Sequence, residues 1–274
     1  MAQDSSASQA SGNANKDLGL SKPFSHIFKD YLESSASTSP GNTARAVDAS
    51  APEGGQDQAD QFIWETWNSF FQAVQHIPYA NTAQDKLVKA VRELALLPKE
   101  DRKQDWETLP QLGWVARDWF NRMPFEKHAQ SENAAETLGS WININAFLAR
   151  LGGTGVHSTL DFAIWSLRQA LENEESTGAP TLLDCHIQAA AQYVEYEGHI
   201  LRQRLSLGWK PREAEAQMFK GGALFDGEPG LSDERWKFWI SRFRELADQT
   251  TTDEAKSAAL RAAKLLDIWS SADV

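Results

Sequence analysis

The sequence holds a single cysteine, Cys185, in 274 residues, so no disulfide can close within the chain and no cysteine-based zinc site can form. Positive charge is also short. Lys and Arg number 27 against 38 Asp and Glu, giving a net charge of −11 that no basic run offsets locally. A surface of that sign repels a phosphate backbone and an anionic bilayer alike, so neither nucleic acid nor a membrane is expected as a partner. No window is apolar for long enough to span a bilayer, and the first residues lack the apolar core of a signal peptide. The expected location is cytoplasmic or nuclear, not secreted. Alternating strand patterns are missing, as is any repeat of fixed period. There is no Gly-x-Ser-x-Gly elbow, no aspartate-rich prenyl-diphosphate motif and no dinucleotide fingerprint, and no cofactor is expected.

What the chain does have is aromatic weight. Eleven Trp and thirteen Phe stand within a hydrophobic fraction of 41%, enough for a sizeable core. The clearest element runs from Gly230 to Ala247. Ser232 is placed to cap a helix, and Asp233 and Glu234 sit in the first turn, where the dipole favours negative charge. Trp236, Trp239, Ile240, Phe243, Leu246 and Ala247 then recur at three- and four-residue steps, which predicts one buried helical face.

Residues 1 to about 18 carry Ser, Ala, Gln and Asn with few large apolar groups, a composition that buries too little to offset ordering entropy. The same composition returns from Ser34 to Asp57, with Pro40, Gly41, Pro52, Gly54 and Gly55 as breakers. This predicts a disordered tail over 1–57 with one amphipathic helix near 23–33, where Phe24, Ile27, Phe28, Tyr31 and Leu32 share a face. That helix either folds back on its own domain or docks on an unknown protein partner. From 58 to 274 the pattern predicts a single all-α domain of about eight helices. Apolar steps place them at about 62–74, 82–97, two short pieces over 106–120, 132–151, 160–171, 181–205, 233–247 and 253–269, with Gly152 and Gly153 as a left-handed stop.

Three stretches stand out: Trp141-Ile-Asn-Ile-Asn-Ala-Phe-Leu-Ala-Arg-Leu151, Phe162-Ala-Ile-Trp-Ser-Leu-Arg-Gln-Ala-Leu-Glu172, and Gly221-Gly-Ala-Leu followed by Gly230-Leu-Ser-Asp-Glu-Arg-Trp-Lys-Phe-Trp-Ile-Ser-Arg-Phe243. Together they resemble a family of uncharacterised, Trp-rich, all-helical proteins from filamentous fungi, over about Gln58 to Trp269. The resemblance implies an intracellular helical domain of unknown function and brings no catalytic residues with it.

Candidate chemistry is sparse. Gly152-Gly-Thr-Gly155 follows a helix and lacks the Gly-Lys-Ser/Thr that grips a phosphate, so it reads as a helix stop. Glu195 and His199 are four apart on the long helix that also carries His186 and Glu197, yet no second pair at metal spacing occurs and no metal site is expected. Cys185 and His186 are neighbours that a helix turns about a hundred degrees apart, which favours a small buried cysteine over an activated thiolate.

Polar residues inside apolar helices are more informative. Asn143 and Asn145 interrupt the run from Trp141 to Ala149, Arg168 sits among Ile164, Trp165, Leu167 and Leu171, and Arg235 and Arg242 flank the aromatic helix. A buried Arg needs an acid, and Glu172, Glu195 and Glu197 are the candidates for Arg168. These groups form either a network that fixes helix register or the wall of a pocket. The functional expectation is a protein-interaction or small-molecule-binding module. The alternative is an enzyme with a helical pocket, using Glu197 or Glu195 with Arg168 as the electrophilic partner.

Overall fold

A computed structural model describes residues 22–33, 38–174 and 179–271. Every regular element among them is helical: α1 (Lys22–Glu33), α2 (Pro40–Ala49), α3 (Gln56–Val74), α4 (Ala83–Ala95), α5 (Leu112–Phe120), α6 (Glu126–Ala129), α7 (Ala134–Gly153), α8 (Leu160–Leu171), α9 (Pro180–Ser206), a 3-10 helix (Glu213–Phe219), α10 (Asp233–Ala247) and α11 (Asp253–Ser271). The count of α-helices among the described residues, eleven, exceeds the expected eight or so. No helix among these residues is long and apolar enough to cross a membrane.

The expected aromatic helix is α10. Ser232 Oγ accepts from the Arg235 amide at 3.1 Å, and Trp236, Trp239, Phe243 and Leu246 are buried. Its neighbours are α11 and α8, while α9, the longest helix, lies against α7, α8 and α11. A second group forms from α1 to α5, and α7 joins it to the first by packing on α3, α4 and α5 as well as on α9. One continuous core runs from Phe24 to Leu266.

Two departures from the sequence reading have physical causes in the chain. Where Ser34 to Asp57 was expected to be disordered, the described part holds a capped helix. Ser39 Oγ accepts from the Asn42 amide at 3.1 Å and Pro40 fills the first turn, so a proline that resembles a breaker starts α2. Asp48 then ties α2 down by accepting from the Lys103 and Gln104 amides (2.7 and 3.0 Å) and from Trp106 Nε1 (2.8 Å). The disorder expected for residues 1 to about 18 lies outside the described residues. Over 106–120 only α5 is helical, because Leu109 and Gln111 take positive φ (48° and 63°) and turn the chain just before it.

The amphipathic island lies on its own domain. Phe24, Phe28 and Tyr31 are buried, with Phe28 4.6 Å from the Phe70 ring centroid and Phe24 5.9 Å from that of Phe62. Tyr31 donates its hydroxyl to the Lys86 carbonyl at 2.8 Å, and Ile27 and Leu32 are half-buried against the core. Burying each Phe contributes roughly 1.5–3 kcal/mol, so lifting this face off to meet a partner would cost several times thermal energy.

Candidate functional site

Glu172 ends α8 and Arg235 lies in the first turn of α10; both are fully buried. Arg235 Nε and Nη2 donate to the two carboxylate oxygens at 2.7 and 2.9 Å, a bidentate pair. The other guanidinium N–H groups reach the carbonyls of Phe219 and Gly230 at 2.8 Å and of Lys220 at 3.4 Å. Glu172 also accepts from Trp239 Nε1 (2.6 Å) and from the Gly222 amide (2.9 Å). The pair therefore clamps the segment between α9 and α10 onto α8. Arg168, expected to be buried with an acid, is half-buried and donates to the carbonyls of Met218 (3.1 Å) and Lys220 (3.0 Å), because the acid one turn on belongs to Arg235. Arg242 donates to the Leu171 carbonyl at 3.1 Å and pairs with Glu245 at 2.7 Å.

The seam between α7 and α9 holds a second set. Gly152 and Gly153 are not a left-handed stop; Gly155 takes that geometry, with φ 70°. A Cβ on Gly153 would lie 1.9 Å from the Tyr196 carbonyl oxygen and one on Gly152 2.4 Å from the Glu197 carboxyl carbon, so bare glycine lets the two helices touch. Glu197, 2% exposed, accepts from Thr159 Oγ1 at 2.7 Å, and burial pushes its carboxyl up to about 8 against that bond, which leaves it protonated at neutral pH. Asn145 Oδ1 accepts from Ser166 (3.1 Å) and Tyr193 (3.0 Å), and its Nδ2 donates to the Trp141 carbonyl. Asn143 Nδ2 donates to the Gln75 carbonyl at 2.9 Å.

Arg150 escaped the sequence reading although it is 4% exposed. It donates to Asp85, Gln84, the Tyr79 carbonyl and the Tyr196 hydroxyl. Glu195 is exposed, 3.9 Å from Arg261. Arg168 sits beside Arg235 and Glu172, while Glu197 has Thr159 as its hydrogen-bond partner and Arg204 and Asp161 as its charged neighbours. No group of three or more His, Cys, Asp or Glu side chains fit to hold a metal occurs among the described residues.

The third feature is a cleft of about 300 Å³ where the end of α8, the start of α9 and α6 meet. Phe125, Leu182 and Leu183 give it apolar walls, and Glu126, Gln169, Asn173 and Glu174 give it polar ones. His186, from the second turn of α9, is 7% exposed and packs edge-on to Trp141, 5.3 Å between ring centroids. Its Nδ1 is buried with no hydrogen-bond partner, and burial pushes the imidazole down to about 4, so the ring is neutral. Gln72 Oε1 and the Nε atoms of Arg202 and Arg204 share that lack, but none of those residues lines the cleft.

An unmade bond of this kind costs about 1–3 kcal/mol, and the atom that lacks it has almost no surface open to the cleft. Sequence reasoning weighed His186 only as a metal ligand or thiol neighbour. The signal it passed over is that Leu182, Leu183, Ala189 and Ala190, one turn away in each direction, offer an imidazole no side-chain partner. Cys185 points elsewhere, its Sγ 3.5 Å from the Leu138 carbonyl, and burial pushes the thiol up, away from thiolate reactivity.

A model of a family of proteins of unknown function, DUF3632, matches residues 67–243. The match takes in the clamp, the seam and the cleft and leaves out α1, α2 and α11. No curated protein and no solved structure matches the chain.

Proposed function

We propose, for a chain that belongs to the DUF3632 family of proteins of unknown function, a role as a small-molecule-binding module whose site is the His186 cleft. The cleft itself carries this reading: it lies at the lower end of the 300–1,000 Å³ or so that ligand pockets span, and apolar walls from Phe125, Leu182 and Leu183 meet a few polar groups and the buried, neutral imidazole of His186. At the clamp the five guanidinium N–H groups already have acceptors and both oxygens of Glu172 are already used, so that region supports the frame and not the ligand. The protein-interaction reading loses support because the apolar face of α1 is covered by the chain's own core. The −11 charge supports a setting without nucleic acid or membrane partners.

Ligand-detected NMR with a fragment library, repeated on Leu183→Trp, tests it. The substitution fills the cleft from a half-buried position without changing charge. Fragments that bind the parent and are lost in the variant support the proposal; no binders, or binders indifferent to the substitution, contradict it.

A further inference from the structure

Of the eleven Trp, nine are buried or half-buried, while Trp64 is 48% exposed and Trp114 77%. The packing of α5 on α3 puts these two on one surface, which shares no residue with the cleft. Gln111 Nε2 donates to the Asp60 carbonyl at 3.1 Å, and about two turns on Trp119 Nε1 donates to Asn68 Oδ1 at 3.0 Å, so α5 runs along α3 in the same direction. Trp64 stands midway between Asp60 and Asn68, and Trp114 lies in the turn that follows Gln111. The two indoles therefore flank one seam at the same level, on its solvent side.

Charge decides what can cover them. α3 carries Asp57, Asp60 and Glu65 and no Lys or Arg over its whole length. Asp60 and Glu65 accept from the neutral amides of Gln56 and Gln61, and none of the three acids is in an ion pair among the described residues. Asp118 on α5 adds a fourth acid beside Arg122, whose guanidinium is 3.5 Å from the Trp119 ring centroid. A second copy of the chain would bring the same acids face to face, and an anionic surface would be repelled as well. The chain's own residues 1–21 hold Lys16 against Asp4 and Asp17 and bring no excess of positive charge. A basic segment answers both features. Its cations meet uncompensated carboxylates, its apolar side chains cover indole surface, and its Lys or Arg groups stack on exposed Trp rings, the strongest of the aromatic faces for a cation. We infer that the α3–α5 face docks a basic amphipathic segment of another protein.

Calorimetric titration of the full chain with three peptides of about fourteen residues tests this: Lys and Leu spaced as an amphipathic helix, the same with Glu for every Lys, and the same with Ser for every Leu. The Lys–Leu peptide should bind saturably, one per chain, the Lys–Ser peptide about tenfold or more weakly, and the Glu–Leu peptide not at all. Trp114→Ser, alone and with Trp64→Ser, should weaken the Lys–Leu peptide, the pair by about tenfold or more, with a melting temperature near that of the parent because both rings are exposed. Asp57→Asn, Asp60→Asn and Glu65→Gln together should weaken it similarly. Glu132→Gln, Asp226→Asn and Glu228→Gln, which remove the same charge elsewhere on the surface, should change it by no more than about twofold. Silence from the Lys–Leu peptide overturns the inference, as does binding that ignores the Trp substitutions or falls equally with the distant acids. A dimer in sedimentation that Trp114→Ser dissolves would assign the face to a second copy and overturn it too.

Discussion

The two sides of the end of α8 handle buried polarity in opposite ways. On one side Glu172 meets Arg235 with the bonding capacity of both side chains filled; on the other, Gln169, Ala170 and Asn173 border a cleft whose wall includes the His186 ring, and the buried Nδ1 of that ring has no hydrogen-bond partner. A completed buried network raises the cost of any change to it, while a cleft leaves wall surface uncovered. The clamp therefore belongs to the frame, and the cleft is where a ligand has something to gain.

The comparison breaks most easily at the clamp. Arg235→Met should lower unfolding stability by about 3–5 kcal/mol, because Glu172 stays buried without its cation. His186→Phe should cost no more than about 1 kcal/mol at neutral pH. Urea midpoints of the two variants decide it, and equal losses would dissolve the distinction.

Two buried acid–base groups sharpen it next, with opposite signs. Glu197 titrates near 8 in the fold against 4.5 when free, so the folded state keeps a proton that the unfolded chain releases between those values. Its contribution is complete below about pH 4.5, shrinks as pH rises and levels off above about 8. Glu197→Gln should therefore gain on the parent across that window, by on the order of 5 kcal/mol in chemical unfolding at the alkaline end. His186 titrates near 4 against 6.5, so its contribution is present above about pH 6.5 and is lost as pH falls toward 4. His186→Phe should flatten that acid limb, by on the order of 3 kcal/mol.

Smaller effects test the packing. Gly153→Ala should cost about 1–3 kcal/mol by forcing α7 from the Tyr196 backbone, seen as a lower melting temperature. Arg168→Met should cost only about 1 kcal/mol, since it gives up bonds to two carbonyls at a half-buried site and orphans no acid. A loss as large as that of Arg235→Met would return Arg168 to the centre of the network.

The helices were legible wherever cap and period agree. Ser232 and the Trp236 face announce α10 because both signals are local. The start of α2 carries the same cap-then-proline signal at Ser39 and Pro40, but Ala and Ser around it hide the burial of Val47 and Asp48, which depends on a loop some 55 residues away. The polar network was legible as a set of residues and not as a set of pairs. Arg168 and Arg235 look alike in sequence, and which of them reaches Glu172 is fixed by the docking of α10 on α8, 63 residues apart. The cleft was hidden for the same reason: its walls come from α6, α8 and α9, and only their meeting shows that His186 has no partner.

One titration reads both sides of α8 at once. The ring nitrogens of His186 and the Arg235 Nε–H are followed by nitrogen NMR while fragments from the ligand screen are added in turn. The account predicts a saturable shift at His186 with at least one of them and a stationary Arg235. A His186 signal that stays fixed throughout, or an Arg235 signal that moves first, would contradict it.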